Sequence, residues 1–246
     1  MRIALLAVVL FSGILAQAQV AVVNGASFKG NQPVSPGSWA AAFGTFTGIA
    51  NTQATIVPLP KTLAGVTVSI DGTDAPIYFV SAGQINFLIP VATLPGRRTV
   101  VVKTATATLN GLVNVVFGAP GIFVQDTAVP AKGAILNQDS SLNSSSNPIR
   151  RGEVFQVYAT GPGPVSTPVA DGTASPTSPL ANTISIPQVF VDGVPAQLQF
   201  SGMAPGLIGV WQVNAFVPAK ALGGRSIVQI FLDGVDSNEV GLFVQQ

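Results

Sequence analysis

The side chains that carry most enzyme chemistry are missing from this sequence, which has no His and no Cys. That removes Ser-His-Asp triads, Cys-His dyads and zinc clusters of imidazole and thiolate. A Ser nucleophile activated by Lys is not signalled either, because neither Ser-x-x-Lys nor Gly-x-Ser-x-Gly occurs. What remains is a set of 10 carboxylates. Asp71, Asp171, Asp192 and Asp233 each precede Gly, where an Asp side chain caps a tight turn. Asp74, Asp126, Asp139, Glu153, Asp236 and Glu239 could support glycoside hydrolysis only if two of them converged at roughly 5 to 10 Å. Their spacing gives no sign of it. Asp233, Asp236, Asn238 and Glu239 gather hard oxygen atoms suited to calcium, but in no EF-hand spacing, and a polar hairpin is the better reading. No catalytic, cofactor or metal residue is therefore assigned, and the chain is expected not to be an enzyme.

Chemistry of recognition is better represented. If strand alternation turns Ala40 and Ala42 inward, Trp39 and Phe43 share the outer face, a pair suited to stacking on a sugar or to contact with another domain. A shift of one residue would bury them instead. The pairs Gln84-x-Asn86 and Gln212-x-Asn214 form a second candidate, read as amides bonding neighbouring loops or a partner domain in preference to a binding ladder. Met203, Leu207, Ile208, Val210 and Trp211 form a third, an apolar stretch expected to fold over an edge or fill a groove between domains. The expected ligand or partner contacts are thus Trp39, Phe43, Met203, Leu207 and Trp211.

The elements that must hold these residues are written twice in the chain. Ile70-Asp71-Gly72, Ala75, Ile77 and Phe79 are matched by Val191-Asp192-Gly193, Ala196, Leu198 and Phe200, with Asp192 lying 121 residues after Asp71. Gln84-Ile85-Asn86 and Pro90 are matched by Gln212-Val213-Asn214 and Pro218 at 128, so the second copy gained about seven residues, near Gly202 to Val210. Each copy holds short runs rich in Val, Ile, Phe and Thr, with turn dipeptides at Asp71-Gly72, Asn110-Gly111, Asp192-Gly193 and Asp233-Gly234. Nothing sustains a helical period, and units of this size argue for immunoglobulin-like sandwiches. Alternation at Ile77-Tyr78-Phe79 and Leu198-Gln199-Phe200 predicts that Phe79 and Phe200 are equivalent core residues.

Composition agrees with packed domains: 48% of residues are hydrophobic and only 9% charged, so substantial cores can form. With 11 cations against 10 anions, the paired Arg97-Arg98 and Arg150-Arg151 are too sparse for nucleic acid, which is excluded as a partner. Residues 1 to 18 read as a cleaved secretory signal, with Arg2, an apolar run from Ile3 to Leu15, and Ala16-Gln17-Ala18 at the cut. The run is shorter than the roughly 20 residues that span a bilayer, and no later segment spans one. A transmembrane barrel is disfavoured by only two Tyr and two Trp, too few for aromatic girdles.

The order Gly152, Phe155, Val157, then Val191-Asp192-Gly193 and Ala196, then Pro218, Gly224-Arg225 and Ser237-Asn238, resembles the IPT/TIG group of immunoglobulin-like folds. The first copy matches more loosely, with Gly37, Ala40, Ala42 and Gly44. Over residues 22 to 245, Val23-Asn24-Gly25-Ala26-Ser27-Phe28, Ser35-Pro36-Gly37-Ser38-Trp39, Ala119-Pro120-Gly121-Ile122-Phe123, Ala134-Ile135-Leu136-Asn137-Gln138-Asp139 and Ala159-Thr160-Gly161 together resemble a C-terminal domain family of secreted acidobacterial proteins. That resemblance implies export and fold, and brings no catalytic residue or cofactor with it. The expected architecture is all-β: a signal peptide (1–18), a first immunoglobulin-like sandwich (19–120), a linker (121–133) and a second sandwich (134–246). The expected role is a non-enzymatic module for adhesion, surface association or accessory interaction, secreted, periplasmic or at the cell surface. Its partner would be a cell-surface polysaccharide or an envelope protein. The alternatives are a carbohydrate-binding protein using exposed aromatics and, more remotely, a carboxylate-dependent glycoside hydrolase.

Overall fold

The computed structural model describes residues 19–246, so the expected signal peptide lies outside the described residues. Every regular element described is a strand, and the strands form four sheets that face each other in two pairs. In the first pair, Ala21–Asn24, Trp39–Phe43, Gln84–Leu88, Ile77–Val80 and Thr52–Gln53 lie side by side. Opposite them lie Thr108–Val115, Gly96–Lys103, Val66–Ile70 and Thr62–Leu63. The reason is visible in Val66–Ile70, where Val66, Val68 and Ile70 are buried while Thr67 and Ser69 are partly wetted, the period of two that a sheet covered on one face requires. Those three side chains meet Ala40, Ala42, Ile77, Ile85 and Phe87 of the facing sheet in one core.

The second pair repeats this plan. Gly121–Ile122, Val154–Thr160, Trp211–Phe216 and Leu198–Met203 form one sheet, with Ile135–Leu136 also on Val154–Thr160. Val240–Val244, Gly224–Leu232, Gln188–Val191 and Val194–Ala196 form the main part of the other. Phe155, Val157, Trp211 and Val213 face Val189, Val191, Val228, Ile230 and Leu242 in its core. The chain is therefore a tandem of immunoglobulin-like β-sandwiches.

The matched Asp-Gly dipeptides show how closely the copies correspond. Asp71 and Gly72 have φ of 47° and 86°, and Asp192 and Gly193 have 53° and 73°, the left-handed pair that turns a two-residue hairpin. Asp71 Oδ1 accepts the Thr99 N–H at 2.9 Å, and Asp192 Oδ1 accepts the Ile227 N–H at 2.8 Å. Each Asp thus ties its hairpin to the following long strand.

Three expectations need correction. Phe79 and Phe200 do occupy equivalent places, but neither is in the core. A bulge between Ile77 and Phe79, and another between Leu198 and Phe200, adds one residue to the strand in each copy. The extra residue turns both Phe rings toward the outer face, opposite Asn86 and Asn214, where they are half-buried. Asn110-Gly111 is no turn but lies within Thr108–Val115; there Val20 donates its N–H to the Asn110 carbonyl, and a Cβ on Gly111 would stand 2.4 Å from the Val20 oxygen. Residues 121–133 are no free linker either. Gly121–Ile122 pairs with Val154–Thr160, and Ala131–Lys132 runs parallel to Val240–Val244, so this segment closes the edges of both sheets of the second sandwich.

The bulge separates two Phe substitutions by size of effect. Phe87→Ala, in the first core, should lose about 3 to 5 kcal/mol. Phe200→Ala should lose clearly less, because its ring lies on a half-wetted face. Denaturant midpoints of the two variants check this, and equal losses would contradict the register.

Candidate functional site

The two sandwiches meet at Trp39. Alternation along Trp39–Phe43 sends Ala40 and Ala42 into the first core and leaves Trp39, Ala41 and Phe43 on the outer face. That face is then covered in part by the second sandwich. The Trp39 backbone N–H donates to Thr160 Oγ1 at 2.9 Å, and the Thr160 hydroxyl donates onward to the Gly209 carbonyl at 3.0 Å. The Trp39 indole N–H donates to the Ile208 carbonyl at 2.9 Å, while its ring meets Tyr78 edge-on at 5.6 Å. A Cβ on Gly209 would lie 2.5 Å from Leu88 and 2.9 Å from Trp39 Nε1, so only Gly fits beneath the indole, and its φ of 63° also favours Gly. Ala54, Leu59 and Leu88, with Trp39, Leu63 and Ile208, form a small apolar cluster across the junction.

A second set of contacts closes the other side. Asn24, wholly buried, donates from Nδ2 to the Ala119 carbonyl at 3.2 Å, and Ala119 donates its N–H to the Gly161 carbonyl at 3.0 Å. Gly121 leaves room for the Asn24 amide, since a Cβ there would stand 2.2 Å from its oxygen. Gln32 Nε2 donates to the Asp236 carbonyl at 2.7 Å; back on the side of Leu88 and Gly209, the Val91 N–H donates to Asp171 Oδ1 at 2.8 Å. Ala119, Pro120, Gly121 and Ile122 are all buried, so the chain crosses between the sandwiches through packed protein.

Beside this junction lies an apolar groove of about 450 Å³ walled by both sandwiches. Leu88, Val91, Leu94 and Phe117 line one side, and Met203, Gly209 and the loop from Pro162 to Thr173 line the other. Val91, Leu94 and Phe117 are 48%, 68% and 61% exposed, so three large apolar side chains of the groove are in contact with water.

The expected contact residues are thus dispersed. Trp39 is half-buried in the junction, and Phe43 is exposed and rests edge-on against Phe28 at 6.2 Å. Met203 is buried in the groove wall, and Leu207 is exposed in the turn that follows. Trp211 is corrected from a surface contact to a core residue: it is wholly buried beside Val213, and its indole N–H donates to Ser201 Oγ at 3.0 Å. It is the first residue of the strand Trp211–Phe216, whose alternation points it inward with Val213 and Ala215. Val91, Leu94, Phe117 and the 162–173 loop were not singled out from sequence. Their only local signal is the Gly161-Pro162-Gly163-Pro164 run, which marks a loop without saying what it faces.

The polar candidates are engaged locally. Gln84 Nε2 donates to Asn86 Oδ1 at 2.7 Å, and Gln212 Nε2 to Asn214 Oδ1 at 2.9 Å, so each repeated pair bonds within itself. Asn238 accepts the Ile122 N–H at 2.7 Å and donates to the Ile122 carbonyl at 3.0 Å, which occupies the amide that a calcium site would have needed. Asp126 accepts the Lys132 N–H, and Asp139 accepts the Ser141 hydroxyl and N–H; these bonds hold both carboxyls below the usual carboxylate range. Among the described residues, no group of three or more acidic side chains is placed to hold a metal ion. No described helix is long and apolar enough to cross a membrane.

Comparisons with known proteins return structures of low similarity. No protein-family profile and no curated protein matches the chain. Among solved structures, SGBP-B of the Bacteroides ovatus mixed-linkage glucan utilization locus, in complex with a mixed-linkage heptasaccharide, is 11% identical, with 87% of this chain and 42% of that chain covered and a TM-score of 0.34. The Escherichia coli adhesin FdeC is 13% identical, covering 94% and 64%, with a TM-score of 0.28. A chimeric titin Z1Z2 tandem is 15% identical, covering 87% and 94%, at 0.24. The chain spans less than half the length of SGBP-B.

Two outcomes follow from this geometry. Thr160→Val keeps the shape but leaves the Trp39 N–H and the Gly209 carbonyl without their shared partner, and should cost about 1 to 3 kcal/mol by denaturant titration. The lowered carboxyls of Asp126 and Asp139 stabilise the fold above the ordinary carboxylate pKa of about 4, and that contribution is lost as pH falls below it. With no His to titrate, the thermal midpoint should stay level from roughly pH 8 to 5 and drop below about pH 4. A decline already under way at pH 6 would contradict this assignment.

Proposed function

We propose that the chain is an exported, non-enzymatic interaction module, a pair of sandwiches held in fixed relation that associates with a cell-surface polymer or envelope protein. The observation that carries this reading is where the carboxylates point. Asp71, Asp126, Asp139, Asp171, Asp192 and Glu153 each accept a backbone N–H, so six of the ten acidic groups act as ties for turns, strands and the junction. With His and Cys also missing, general acid-base and nucleophilic chemistry lack their usual groups, while apolar side chains stand exposed beside the junction. The resemblance to secreted acidobacterial domains supports export.

Recognition of a polysaccharide is the second reading, and one face favours it. Gln156, Tyr158, Gln212 and Asn214 lie together on the outer face of the second sandwich, with Phe200 opposite Asn214. Amides beside aromatic rings are the pairing that sugars need, hydrogen bonds at the edge and an apolar face for the ring.

Both readings are tested by immobilising residues 19–246 and presenting envelope extracts and purified cell-surface polysaccharides, with product analysis of each glycan. Retention without turnover is expected, and because few charges are available it should change little with salt. Loss of polysaccharide retention in Tyr158→Ala would select the second reading. Turnover of any glycan would overturn both.

A further inference from the structure

We infer that the groove between the sandwiches is a binding site for a neutral, apolar small molecule. This goes beyond the interaction role proposed above and does not depend on it. Size comes first: about 450 Å³ lies within the range of roughly 300 to 1,000 Å³ typical of small-molecule sites. The space is concave and two-walled, formed where the sandwiches diverge beside Trp39, unlike the open faces by which sheets meet other proteins.

The lining then selects the chemistry. Pro36, Pro95, Pro162, Pro164 and Pro168 contribute no N–H and no side-chain donor. The side-chain hydroxyls in the lining are those of Thr93 and Thr173, and the second already donates to the Ala170 carbonyl at 2.7 Å, so the walls offer few of the donors that a sugar or an extended peptide needs. Among the described residues no cation lines the groove, and the one carboxylate there, Asp171, already accepts the Val91 N–H. An anionic ligand would meet only that negative charge, without a partner to offset its lost hydration. What the groove offers freely is apolar area, with Leu94, Phe117 and Val91 at its mouth and Met203 in its wall. Met203 adds an adaptable surface able to follow an irregular ligand.

The probes are N-phenyl-1-naphthylamine, neutral and apolar, and its sulfonated relative 8-anilinonaphthalene-1-sulfonate, titrated into residues 19–246 and followed by dye emission. Saturable, blue-shifted binding of the neutral dye at one site per chain is expected, with the sulfonate at least tenfold weaker. Leu94→Asp and Phe117→Asp should each weaken the neutral dye at least tenfold while leaving the thermal midpoint in place, because both side chains are already largely in water. Leu222→Asp, equally exposed but not part of the groove, should leave binding unchanged. Equal affinity for both dyes, or indifference to both groove substitutions, would overturn the assignment. So would binding of an extended apolar peptide, blocked by Leu94→Asp, in a protein that takes up no neutral dye.

Discussion

One buried hydroxyl stands at the centre of the contacts that hold the two halves of this protein in register. Thr160 ends a strand of the second sandwich, accepts a hydrogen bond from the Trp39 N–H of the first, and donates its own hydroxyl hydrogen bond to the Gly209 carbonyl. A buried N–H and a buried carbonyl each cost free energy if left unpaired, so the position of one sandwich is fixed by the hydrogen-bonding needs of the other. The surrounding residues answer that constraint. Gly209 gives way to the indole, Gly121 to the Asn24 amide, and the residues gained by the second copy supply the carbonyl that the indole N–H requires. The groove follows, because its walls are the surfaces left facing each other once the junction is closed.

The motifs that suggested a family resemblance acquire a physical reason here. Asn24, Ser35 to Trp39, Ala119 to Gly121 and Ala159 to Gly161 are far apart in the chain, yet all gather at the junction. A Cβ on Gly161 would collide with the Ala119 carbonyl at 1.9 Å, and its φ of 83° is one that Gly adopts readily. These residues define how two sandwiches join, which is a structural reason for their types that requires no catalytic role.

What could be read from the sequence was what depends on near neighbours. The Asp71-Gly72 and Asp192-Gly193 hairpins need only the left-handed conformations of two adjacent residues. Alternation at Trp39–Phe43 allowed two registers, and the observed one turns Ala40 and Ala42 inward. Phe79 and Phe200 were misplaced because a bulge is a relation between two strands, and one added residue reverses every inward and outward assignment beyond it. Trp211 was misread as surface because it follows an insertion with no counterpart in the first copy, although it already belongs to the strand. The edge strands at 121–133 and the groove depend on surfaces from both sandwiches, and no local pattern records them.

The central claim is that the sandwiches form one thermodynamic unit through Trp39 and Thr160. Differential scanning calorimetry of residues 19–246 tests it most directly. A single transition whose calorimetric and van't Hoff enthalpies agree is the result expected, with Thr160→Val separating it into two. Two resolved transitions in the unsubstituted protein, each with the enthalpy of a single sandwich, would contradict the account.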